Sequence, residues 1–304
     1  MIAVLCQYLD NIRHNLRTDP SSEREIISEL ETHIEDKLQE LREAGMSEEE
    51  ASNACMERLG STKLVAQQIY EAHSQGTWGQ ALLASMPHLL FSVLLTFNWW
   101  QGVNWLLAIL ILIFGVVVYG WWHGSPTWLF TWLGYSLLPV AAAGLALLHL
   151  PQGWSWLAIL LYIPLAMGLL YFVTAQSIKR DWLYGSLMLL PFPVVISWLM
   201  AVKTGGKFPD YSVQYVRDFA PWIGLSFLTL AVTAAIFIRL RQRWLKASTL
   251  LLSGFTALTM IAYYTGGKLS LPTLLVLVLV VLSLLLIPAL IGRGVKYKGQ
   301  EKSP

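Results

Sequence analysis

Apolar positions recur at helical spacing through the first 75 residues, and beyond residue 78 they become almost continuous. Leu5, Leu9, Ile12 and Leu16 fall at 4-3-4 spacing and predict an amphipathic helix from about Ile2 to Arg17. Asp19-Pro20 ends it. A second helix is expected from Ser22, with Glu25 three residues on as a capping-box partner. Its stripe is Ile27, Leu30, Ile34, Leu38 and Leu41, and Gly45 sits where a left-handed C-cap belongs. Ser47 and Glu50 repeat the capping box and open a third helix that ends at Leu59-Gly60. A fourth starts near Ser61, carries Leu64, Val65 and Ile69, and has a pattern that can run on toward the apolar part.

From residue 78 the pattern changes to long apolar runs. A bilayer span needs roughly 20 predominantly apolar residues. Eight runs meet that need, at about 80–98, 103–122, 127–149, 154–176, 182–202, 219–238, 247–265 and 271–292. The third, fourth and eighth are the cleanest, and Pro87 and His88 interrupt the first. The expected architecture is all-α. A small helical domain of three or four helices (1–75) precedes a membrane bundle (78–292) and a basic tail (293–304).

Charge sharpens this division. Only 13% of the 304 residues are charged, against roughly 25% in an average soluble domain. Residues 1–77 hold 15 carboxylates and 7 Lys/Arg, net −8, whereas residues 78–304 hold 4 carboxylates and 14 Lys/Arg, net +10. No Asp or Glu occurs between Glu71 and Asp181, too long a stretch for a soluble fold that needs a charged surface. With a cytoplasmic N-terminus, ten Lys/Arg fall in inner loops and the tail and four in outer loops. That bias fits eight spans with both termini on the cytoplasmic side of a bacterial inner membrane. Tryptophans such as Trp99, Trp105, Trp121, Trp128, Trp182 and Trp244 lie near expected span ends, as an aromatic belt would place them. Met1–Leu5 is too short an apolar run for a secretory signal, so insertion is expected to rely on the first span.

The N-terminal segment also carries a family pattern. It runs through Tyr8-Leu9, Glu23-Arg24-Glu25-Ile26-Ile27-Ser28-Glu29-Leu30, His33-Ile34, Gly45-Met46-Ser47-Glu48-Glu49-Glu50-Ala51 and Leu59-Gly60-Ser61. This order resembles the HAAS domain and the related permease-prefix domain, bacterial helical modules that precede membrane segments. Thr62 and Lys63 stand where that pattern usually has Pro. The resemblance covers about a quarter of the chain. It implies a cytoplasmic interaction or regulatory module and does not imply an enzyme.

The search for chemistry narrows the function. Cys6 and Cys55 form no metal-ligand pattern and read as reduced, buried thiols. His33 and Asp36 share a helix face at i, i+3. A metal there would need further ligands, for which His14 is the nearby imidazole, and the alternative is a solvated face with a local His–carboxylate contact. Glu48-Glu49-Glu50 suits the positive end of a helix dipole. No Asp, Glu, Lys or Arg falls inside an expected span, which leaves His88 and His149 as ionisable candidates there. Walker, HExxH and GxSxG motifs are absent from the sequence. No catalytic set, cofactor, metal or nucleic-acid partner is therefore expected.

Pro139, Pro164 and Pro288 read as kinks, and Pro191-Phe192-Pro193 as the sharpest break, able to open a broken-helix binding site. The loop 203–218 is the longest outer segment. Arg239, Arg241 and Arg243 form a basic inner loop that can anchor to anionic lipid or dock the acidic domain. Two functions compete. One is a non-catalytic regulatory or sensory membrane protein whose partners are the bilayer and a cytoplasmic protein held by residues 1–75. The other is a transporter or permease subunit. A membrane enzyme acting on lipid is a third reading and lacks a catalytic set.

Overall fold

In a computed structural model the chain is helical, with no strand among the described residues. These are residues 3–16, 20–124, 126–147, 156, 160, 162–203, 213–264 and 271–300. Two units separate, Met1–Gln75 and Gly76–Pro304.

The first unit has four helices: α1 Ala3–Asn15, α2 Pro20–Glu43, α3 Glu48–Leu59 and α4 Thr62–His73. The stripe expected on α1 is buried in full, at Leu5, Leu9, Ile12 and Leu16. It serves two apolar clusters. Leu5 and Leu9 pack with Ile34, Leu38 and Leu41 of α2 and with Ala51 and Cys55 of α3. Tyr8, Ile12 and Leu16 pack with Ile26, and Val65 and Ile69 of α4 close that side. The Tyr8 hydroxyl donates to the Gly60 carbonyl at 2.9 Å, tying α1 to the α3–α4 turn. Gly45 is at φ 89°. Its N–H reaches Arg42 O at 2.9 Å while Met46 N–H reaches Leu41 O at 3.2 Å, the two bonds of a Schellman stop. Ser47 and Glu50 form the reciprocal capping box.

Several details differ from the sequence reading. The second helix begins at Pro20, so Ser22 lies inside it and cannot be its N-cap. Proline suits the first helical position because its missing N–H would have no partner there. Ile26 is buried on α2, and Ile27 is only partly so. Leu64 is 51% exposed, and Ala66 and Tyr70 carry the buried side of α4. That helix stops at His73 rather than running on. Cys55 is buried and Cys6 is exposed.

The second unit contains α5 Trp78–Thr96, α6 Val103–Trp122, α7 Leu129–Leu147, α8 Ile163–Arg180, α9 Trp182–Leu189, α10 Pro191–Lys203, α11 Val213–Arg239, α12 Arg243–Tyr264 and α13 Leu271–Gln300. Five stretches among the described residues are long and apolar enough to cross a bilayer: Trp78–Thr96, Val103–Trp122, Arg217–Arg239, Arg243–Tyr264 and Leu271–Leu290. The expected span 182–202 is divided at Leu190, and the expected tail continues as helix to Gln300. Much of the loop 203–218, His149 and the start of the fourth expected span lie outside the described residues.

Large side chains such as Ile111, Leu165, Leu252 and Leu279 face outward, each more than 60% exposed. Such outer faces are compatible with lipid.

The tightest helix pair is α5 against α11, running antiparallel. Gly76 N–H donates to Ile238 O at 2.9 Å at one end, and the Ser92 hydroxyl donates to Gly224 O at 2.7 Å further along. A Cβ at Gly224 would lie 2.4 Å from Thr96 Oγ1 and 3.0 Å from the Ser92 carbonyl oxygen, so the absence of a side chain eases this approach. Around this pair, Trp132 and Tyr135 of α7, Leu183, Tyr184 and Met188 of α9, and Phe227 and Phe237 of α11 fill the core.

Prolines leave carbonyls without helical donors. Pro87 frees the Leu83 carbonyl, and the Trp132 indole N–H occupies it at 2.9 Å. Pro191 and Pro193, on either side of Phe192, remove two ladder donors. Leu190 N–H turns to Leu187 O at 3.3 Å, yet Leu190 stays at φ −54°, ψ −36°. The hydrogen-bond ladder is interrupted there without the chain unwinding.

Candidate functional site

A concentration of charge in the second unit lies where α11 turns into α12. Only Leu240–Gln242 separate the two helices, so most of the expected inner loop 239–246 is helical. Arg239 ends α11, a favourable place for a cation. Its guanidinium donates to Gly76 O at 2.9 Å and lies 4.5 Å over the Trp78 ring at the start of α5. Arg243 opens α12. Its Nη2 donates to Asp181 Oδ1 at 2.6 Å and its Nε to Oδ2 at 3.3 Å, a two-point contact. The same guanidinium lies 5.8 Å from the Trp182 ring centre. Asp181 also accepts Leu183 N–H at 3.4 Å as the N-cap of α9.

Lys246, one turn into α12, is fully buried. Its Nζ lies 5.6 Å from the Tyr184 ring and 5.2 Å from the Phe237 ring. Burying an ammonium costs several kcal/mol, of which each desolvated aromatic face offsets about 2 kcal/mol. Arg243 and Lys246 stand in the first turn of a helix, where the dipole disfavours cations. Their positions are thus set by tertiary contacts with α9 and α11 and not by helix electrostatics. Arg241 is exposed in the turn itself.

The sequence reading selected Arg239, Arg241 and Arg243, and the fold brings this segment against the starts of α5 and α9. It missed Asp181 and Lys246, whose partners on other helices lie far off in sequence. The available signal was that Asp181 is the first carboxylate after Glu71 and that Lys246 follows Arg243 by one helical turn.

The remaining candidates lie elsewhere. His88 of α5 is fully buried and pairs through Nδ1 with the Tyr135 hydroxyl of α7 at 2.6 Å. Its Nε2 is buried without a hydrogen-bond partner among the described residues. Phe91 and Phe227 enclose the pair, with Phe91 4.6 Å from the Tyr135 ring. Pro193 borders a small, mainly apolar cavity with Leu190, Ser197, Gly254 and Val281, with room for about one water. Ser197 Oγ there is buried and has no hydrogen-bond partner among the described residues. Pro191 lies outside its lining.

His33 and Asp36 are exposed on α2, in the first unit. The carboxylate beside His33 is Glu29, 4.0 Å away at i−4, and not Asp36. No group of three or more His, Cys, Asp or Glu able to hold a metal occurs among the described residues. Burial raises the Cys55 thiol above its ordinary range, which makes it a poor nucleophile.

Comparison with family models, with curated proteins and with solved structures gave no match.

Proposed function

We propose that this chain is a non-catalytic regulatory or sensory protein of a bacterial cytoplasmic membrane. In this reading it has eight spans and both termini inside, and its acidic N-terminal module binds a cytoplasmic protein. The observation that carries the reading is the first unit itself. Residues 1–75 form a separate helical body with two apolar clusters and well-made caps, and it carries most of the chain's carboxylates. A body of that kind ahead of membrane helices is what the resemblance to HAAS and permease-prefix modules leads one to expect.

The second unit supports the same reading. Several of its described buried polar groups join helices: Ser92 to Gly224, His88 to Tyr135, Trp132 to Leu83 and Trp198 to Ser226. Contacts of this kind favour a fixed scaffold.

The alternative, a transporter or permease subunit, draws on the interrupted α9–α10 helix beside the cavity at Ser197.

Two measurements separate these readings. Photo-crosslinkers placed at His33 and Asp36 in the full chain are expected to trap a specific cytoplasmic protein. Adducts no stronger than those of the same chain left unirradiated would refute the regulatory reading. A Ser197→Cys variant, in a background without Cys6 and Cys55, is expected to resist a membrane-impermeant thiol reagent. Rapid labelling would instead support a water-filled pathway and the transport reading.

A further inference from the structure

We propose that the α11–α12 turn is a binding site for the phosphate group of an anionic lipid headgroup, held by Arg239, Arg241 and Arg243. The proposal is independent of what the N-terminal module binds. It rests first on charge. Arg239, Arg241, Arg243 and Lys246 fall within eight residues. The described carboxylates of this unit are Asp181 and Asp218. Asp218 belongs to the opposite end of α11, 21 residues from Arg239, or about 31 Å at helical rise. This end of the bundle therefore carries at least four cations against one described carboxylate.

It rests secondly on how the cations are held. Arg239 is fixed by a neutral carbonyl and an indole face. Aromatic faces and carbonyls orient a cation without cancelling its formal charge. Arg239 and Arg243 are both partly exposed, and Arg241 is exposed. A guanidinium presents planar, paired donors that match phosphate oxygens.

It rests thirdly on depth. Trp78, beneath Arg239, is 72% exposed, and Trp182 lies beneath Arg243. Indoles of this kind settle at headgroup level in a bilayer. Three arginines at that level meet a lipid phosphate before any other anion. Free phosphate shares the chemistry and is separated by experiment.

The test uses the purified full chain in neutral detergent. Phosphatidylglycerol, phosphatidylcholine or inorganic phosphate is added, and retained lipid is counted by native mass spectrometry. Phosphatidylglycerol is expected to be retained in preference to phosphatidylcholine. Arg239→Gln and Arg241→Gln are each expected to weaken retention about fivefold, the effect of one cation near an anionic surface. Arg217→Gln, at the other end of α11, is expected to leave it unchanged. Arg239→Lys, which keeps the charge, should recover part of the loss and so guards against a folding artefact.

Displacement of the lipid by millimolar inorganic phosphate would support the phosphate site and overturn its assignment to lipid. Resistance to displacement would support the lipid. Equal retention of both lipids, or equal losses in the Arg217 and Arg241 variants, would overturn the proposal.

Discussion

Gly134 offers the sharpest test of the helix packing. A Cβ added there would lie 2.1 Å from the Met188 carbonyl oxygen and 3.2 Å from its carbonyl carbon. Close carbon–oxygen contacts settle near 3.3 Å, so α7 and α9 would have to part by about 1 Å. The obstacle is backbone within a helix, and no side-chain rotation relieves it. Overpacking of this kind costs about 3 kcal/mol, the upper part of its usual range. Gly115 and Gly168 are helical glycines with nothing within 4 Å of an added Cβ. Alanine at either should be neutral or stabilising by up to about 1 kcal/mol. The three variants are compared by unfolding in mixed micelles with a denaturing detergent, followed by tryptophan fluorescence. Gly134→Ala is expected to unfold at a clearly lower denaturant fraction than the other two. Coincident midpoints for Gly134→Ala and Gly115→Ala would refute the close α7–α9 approach.

Ser47→Ala should cost the N-terminal module about 1 kcal/mol through loss of its cap, read by thermal melting of the helical signal. The Ser47 hydroxyl, and after it the backbone, hold the Glu50 carboxyl below its ordinary value. That stabilisation is present above the ordinary carboxylate range and is lost as pH falls through the lower folded value. Glu50→Gln should therefore flatten the loss of stability below about pH 4.3. Trp132→Phe leaves the Leu83 carbonyl without its indole donor and should cost about 1–3 kcal/mol. Pro87→Ala restores a backbone N–H to that carbonyl, so the cost should shrink in the double variant, measured as a double-mutant cycle. Asp181→Asn weakens the Arg243 contact. Because the Arg243 side chain is 32% exposed, the loss should be only about 1–2 kcal/mol, and high salt should narrow the gap from the unsubstituted chain.

Local rules were legible in the sequence wherever backbone geometry alone decides. Gly45, Ser47 and Glu50 act within one helical turn of their partners, and the α1 stripe is fixed by its spacing. Long apolar runs likewise marked the helices, because a continuous apolar surface has one common solvent. What could not be read was which helices meet. Nothing near Ser92 points to Gly224, and nothing near Pro87 points to Trp132, because these bonds join residues far apart in sequence. Lys246 shows the same difficulty for the candidate site. Its charge placed it in a loop by ordinary reasoning, while the fold buries its ammonium inside a helix against the rings of Tyr184 and Phe237. Asp181 was invisible as a partner until the fold brought Arg243 to it.

The pairing of α5 with α11 has a consequence for biogenesis. Ser92 and Gly224 are 132 residues apart. At a synthesis rate of about 5–20 residues per second, the first membrane helix waits roughly ten seconds for the helix that accepts its Ser92 hydroxyl. During that interval its narrow, glycine-fitting face meets only lipid or whatever escort the insertion machinery provides. The bundle is thus closed by a late arrival, and a chain cut short before Val213 leaves its first membrane helix without the surface it was shaped to meet.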